Sequence, residues 1–183
     1  MTKIFRIGAA GAALVSAMGM SSVAHADNAD ATATAEVLEA LTLDLQTGTS
    51  LDFGAMVVSG AGTVSLAADG TLDCSAADIV CTGTTGVAGF DVGGTASKAV
   101  TINLPTADVE LQHTAYTPTS GGEHVIELNG LVSDAANNAA GDPEVTLDAA
   151  GDGSFNVGGT INLDGTEEAG IFTGTFNVSV EYS

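Results

Sequence analysis

From residue 37 onward, apolar positions recur with period two over short runs, and turn residues stand between the runs. Such alternation is the mark of half-buried strands. Residues 37–45 set Leu41, Leu43 and Leu45 on one face. Further runs cover 51–57, 62–67 and 87–92. In 99–104, Val100, Ile102 and Leu104 alternate with Thr101 and Asn103; in 108–115, Val109 and Leu111 alternate with Glu110 and Gln112. Residues 124–131 and 144–148 add two more runs. The runs 154–157 and 160–163 flank Gly158-Gly159, which predicts a two-residue hairpin between them. The last run alternates to the C-terminus through Phe172, Gly174, Phe176, Val178, Val180 and Tyr182, and predicts one long strand. About ten short strands at this spacing predict an all-β, antiparallel β-sandwich. Residues 29–41 are mixed: Ala, Glu and Leu favour helix, while the Ala/Thr alternation favours strand, the reading adopted here.

The N-terminus has a different pattern. Lys3 and Arg6 precede an apolar run from Ile7 to about Met20, and Ala24-His25-Ala26 is a small-x-small cleavage site. The run is short and glycine-interrupted for a membrane anchor. Residues 1–26 are therefore expected to be a cleaved signal peptide, with residues 27–183 forming a single secreted domain. No membrane insertion is expected after cleavage. An outer-membrane barrel would need aromatic girdles and longer strands than these. Cys74 and Cys81, the only cysteines, suit an oxidising compartment and predict a structural disulfide.

Composition sharpens this picture. The chain carries 23 Asp and Glu against 3 Lys and Arg. Loss of the signal peptide would leave Lys98 as the only Lys or Arg, for a formal charge of about −22. Nucleic acid is excluded as an expected partner, because its binding rests on clustered cations. An apolar fraction of 45% argues against charge-driven disorder.

Candidate chemistry is sparse. His113 and His124 fall on the apolar sides of their runs and read as core-edge side chains. No nucleophile elbow or catalytic constellation is present, so no catalytic or cofactor-binding residue is assigned and no enzyme is expected. The acidic loops 134–142, 148–153 and 164–168 offer oxygen ligands, with Asp148, Asp152 and Asp164 as weak calcium candidates. A solvated acidic turn is the competing reading.

The C-terminal run carries the most information. A free apolar edge strand of that length invites pairing with another chain. The run ends on a penultimate Tyr182 and begins near Gly170, the fourteenth residue from the end, and looks like the last strand of chaperone–usher fimbrial subunits. LDFGAMVV (51–58), FNVGGTINL (155–163) and AGIFTGTFNVSVEY (169–182) together resemble a secreted bacterial family catalogued as domain of unknown function 4402. That family is similar to spore coat protein U and to fimbrial subunits. The resemblance implies an immunoglobulin-like sandwich and, for the fimbrial relatives, assembly by strand donation. An N-terminal extension of one subunit then fills a groove in the next. Here the candidate donor is 27–35, whose Ala29, Ala31, Ala33 and Ala35 are small. Gly170, Phe172, Phe176, Val178, Val180 and Tyr182 would form the assembly strand. The expected function is a non-enzymatic fimbrial or surface-coat subunit, found in the periplasm or on the cell surface, with itself or another surface subunit as partner. The alternative is a monomeric binding module or adhesin that uses calcium.

Overall fold

A computed structural model describes residues 29–183. The expected signal peptide lies outside the described residues, as do Asp27 and Asn28 of the candidate donor. The chain divides into two units at Glu36–Val37. Within the first, residues 29–36 are exposed and form neither helix nor strand. The strand expected over 29–41 does not form: the first strand opens only at Thr42. Ala and Thr side chains offer little apolar area to offset the entropy of ordering a strand. Val37, which begins the second unit, is 93% exposed.

The second unit, Val37–Ser183, is all-β and antiparallel, apart from a single 3-10 turn at Gly122–His124. Its strands are β1 (Thr42–Leu45), β2 (Ala55–Val58), β3 (Gly62–Leu66), β4 (Leu72–Asp73), β5 (Ile79–Thr82), β6 (Ala88–Gly93) and β7 (Ala99–Asn103). They continue as β8 (Val109–His113), β9 (Val125–Ser133), β10 (Glu144–Thr146), β11 (Asp152–Leu163), β12 (Phe172–Thr173) and β13 (Ser179–Tyr182). A large sheet runs β1-β6-β11-β9-β8-β12, with β3 also on β11 and β4 on β3. A three-stranded sheet runs β10-β7-β13, and β2 pairs β5.

The core has two lobes. In one, Phe155 and Val157 of β11 and Val92 of β6 pack with Val100 and Ile102 of β7, and with Leu147. In the other, Ile161 and Leu163 of β11 and Ile126 and Leu128 of β9 pack with Val64 and Leu66 of β3, Ile79 of β5 and Phe53. Leu131 and Phe176 pack against both lobes. Cys74 and Cys81 form the expected disulfide, with Cα atoms 6.2 Å apart, at the border of the second lobe.

β11 joins the two lobes, and here the pattern misleads. Gly158-Gly159 is not a hairpin: both residues are buried within one uninterrupted twelve-residue strand. The same edge of β11 is shared by two partners in succession. Asp152–Val157 pairs β6, and Gly159–Leu163 pairs β3. The β3 chain must leave the sheet where β6 arrives, and it leaves across Gly158. A Cβ at Gly158 would strike the Leu66 carbonyl oxygen and, at 2.6 Å, the backbone of Ala67 and Ala68. Close backbone approach, rather than a turn, accounts for this glycine. On the opposite edge, Gly158 faces Val132 and Thr160 faces Asn129, so β9 carries an extra residue there. Gly130, with φ of 55°, absorbs that bulge.

Two further expectations change. Leu41 and Leu43 pack on the first lobe, but Leu45 is 56% exposed. The C-terminal run is not one long strand but two short ones, β12 and β13, on different sheets.

Replacing Gly158 with Val should lower stability by about 1–3 kcal/mol, the usual cost of forcing atoms into a packed site. A urea titration checks this: the midpoint should fall with little change in slope.

Candidate assembly edge

Residues 170–183 leave the large sheet and end in the three-stranded one. β12 pairs β8 through Phe172–His113 and Thr173–Gln112. β13 pairs β7 from Ser179–Asn103 to Tyr182–Val100. Each is the last strand on its side of its sheet. Period-two burial persists along the segment: Phe172, Phe176, Val178, Val180 and Tyr182 are half-buried and their intervening neighbours are exposed. All five pack on the core, Phe172 on one lobe, Val178, Val180 and Tyr182 on the other, and Phe176 on both. Between the two strands, Gly174–Val178 belong to no strand and make no backbone–backbone hydrogen bond among the described residues. The segment thus keeps the side-chain pattern of a strand while its middle lacks a strand's pairing.

Tyr182 anchors its end. The phenol oxygen accepts a hydrogen bond from the Thr95 amide at 2.7 Å and donates one to the Glu39 carbonyl at 2.8 Å. The Glu39 amide in turn donates to Thr95 Oγ1. The half-buried ring thus packs on the core while its hydroxyl fills both hydrogen-bonding roles.

Gly170 has a local cause. A Cβ there would strike Nε2 of His113, so only glycine lets the chain pass over that imidazole on its way into β12. His113 is 8% exposed, and its ring lies 5.0 Å from that of Phe172 and 5.3 Å from that of His124. Nε2 of His124 is 2.6 Å from a Glu168 carboxylate oxygen. The two histidines do sit at the core edge, as their alternation suggests. Alternation alone gives no sign of their meeting with Glu168. The register of β8 and β9 contains half of it: Val109 faces Leu128 and Leu111 faces Ile126, so His113 falls opposite His124. Glu168 has no comparable signal, since it arrives from the loop after β11.

The calcium candidates are not brought together. Asp148 and Asp152 share the turn before β11, and Asp164 follows its other end. A twelve-residue strand separates the two places by roughly 35–40 Å. Oδ1 of Asp148 accepts the amides of Ala150 (2.8 Å) and Asp152 (3.0 Å). Oδ1 of Asp164 accepts the hydroxyl (2.7 Å) and amide (2.8 Å) of Thr166, while Glu167 accepts the amides of Asp164 and Gly165. These carboxylates cap their own turns.

The caps shift titration. The Asp152 amide, followed by that of Ala150, holds the Asp148 carboxyl below its ordinary value of 3.8. The Thr166 hydroxyl, followed by its amide, does the same for Asp164. A depressed folded pKa means that the unfolded chain binds more protons in this window. The stabilisation is complete above the unfolded value and is lost as pH falls through the folded one. Carbon-detected NMR titration should place both carboxyl midpoints below 3.8; midpoints at or above that value would contradict the caps.

No curated protein and no solved structure matches the chain. One family model, described as "Domain of unknown function (DUF4402)", matches residues 43–182, from within β1 to the last residue of β13. That span covers most of the chain, and the protein belongs to that family.

Proposed function

We propose that this protein is a secreted, non-enzymatic structural subunit of a bacterial surface assembly, of the fimbrial or surface-coat kind, and that copies join by β-strand addition. The observation that carries the reading is the C-terminal segment. Its apolar side chains are seated on the core, yet Gly174–Val178 have no backbone partner among the described residues and connect β12 and β13, each the terminal strand of its sheet. An unpaired edge of this kind is a template for an incoming strand. In strand addition, backbone hydrogen bonds give affinity and alternate side chains give register.

The candidate donor is the N-terminal segment that cleavage of a signal peptide after Ala26 would free. Its described part, 29–35, is exposed and carries no secondary structure. The likeness of the C-terminal run to the last strand of fimbrial subunits points the same way, and the antiparallel all-β fold is compatible with it. Association would proceed against strong like-charge repulsion, since 23 carboxylates face very few cations. Salt screens that repulsion beyond a Debye length of about 10 Å at 0.1 M, and this length shortens as salt rises, so assembly should strengthen with ionic strength.

Negative-stain microscopy of native cell-surface extract tests the proposal. Filaments or ordered multimers containing this protein are expected, and deletion of residues 27–35 should abolish them. Monomers alone, in native extract and at high salt, would overturn the reading.

A further inference from the structure

We propose that His113, His124 and Glu168 form a binding site for a divalent transition-metal ion of the zinc class. The metal-binding atoms of the three side chains lie within 4.8 Å of one another. Two imidazoles and one carboxylate are a common zinc set that leaves a fourth position for water. The nitrogen donors separate this site from calcium, which takes six to eight oxygens.

Burial supplies the second, independent observation. His113 is 8% exposed, and its Nε2 is buried with no hydrogen-bond partner. An orphaned polar atom in the core is costly, and native structures seldom keep one without a reason. This one stands against Gly170, where an added Cβ would strike it. The Glu168 carboxylate approaches from two residues away and already holds Nε2 of His124 at 2.6 Å.

The protons can be placed. Nδ1 of His113 accepts the Ala115 amide at 3.0 Å, so in the neutral ring the proton sits on Nε2. Ligation through Nε2 moves that proton to Nδ1 and displaces the Ala115 amide from it. On His124, ligation through Nε2 moves the proton to Nδ1. That atom is also buried without a hydrogen-bond partner, but a Glu123 carboxylate oxygen stands 3.7 Å away. A carboxylate behind a ligating histidine is the usual outer partner of a zinc site.

The ion would join three pieces of chain. His113 ends β8, His124 closes the 3-10 turn before β9, and Glu168 belongs to the segment entering β12. The Glu168 amide already donates to the Glu123 carbonyl at 2.9 Å, so this segment is docked in place before any metal binds. The role inferred is a staple at the root of the C-terminal segment. It does not depend on whether copies of the protein assemble.

Calorimetric titration of the untagged, metal-stripped protein with zinc chloride tests the site, with thermal melts and NMR of the histidine rings and the Ala115 amide. Binding of one equivalent, a higher melting temperature and a shifted Ala115 amide are expected. H124Q and E168Q, at less buried positions that should tolerate change, should each weaken binding by more than ~10-fold, the loss that even an outer-shell change brings. Calcium chloride should not compete. Absence of zinc binding would overturn the proposal. So would binding that persists unchanged in both variants, since the ion would then be held by the acidic surface.

Discussion

The fold depends on β11 keeping two different neighbours on one edge. β6 pairs its first half and β3 its second, while β9 bridges the junction from the other side. Phe155 and Val157 fill one lobe of the core, and Ile161 and Leu163 fill the other. The junction works only because Gly158 lets the backbone of Leu66–Ala68 cross against the strand. The bulge at Gly130 then brings Leu131 to a position where it touches both lobes, as Phe176 does from the C-terminal segment. Without that single strand, the three-stranded sheet and the β2–β5 pair would pack on unconnected surfaces.

Against this frame, the acidity of the chain has a structural use as well as a colloidal one. Asp52, Asp69, Asp73, Asp148 and Asp164 each accept the amide two residues ahead through Oδ1. Such Asx turns replace a backbone hydrogen bond where a strand ends. Aspartate satisfies the loops of a protein made almost wholly of short strands and tight connections. Some of the carboxylates that invited a calcium reading thus belong to the turn chemistry of the fold.

Much of the architecture was legible from alternation, because a sheet with one buried face repeats every two residues. The runs around Val64, Val92, Val100, Val109 and Ile126 all became strands. Failures arose where a distant backbone decided the outcome. Gly158-Gly159 reads locally as a turn, and only the crossing of β3 explains it. The C-terminal run alternates faultlessly, but its side chains obey the core while its backbone changes sheets, and alternation reports only the side chains. Residues 29–36 offer only Ala and Thr as apolar surface, too little to hold a strand. At the site, Tyr182 and the apolar positions were readable, whereas the meeting of His113, His124 and Glu168 needed the register of β8 on β9 and the path of the loop after β11.

The central claim is that β11 makes the two lobes one cooperative unit. Native-state hydrogen exchange measures this most directly, because it resolves opening of each strand separately. The amides of Val157 and Ile161 should exchange only through global unfolding, and those of Ile102 in one lobe and Val64 in the other should share the same opening free energy. If one lobe opened at a clearly lower free energy while the other and β11 stayed protected, the lobes would be independent and the account would fail.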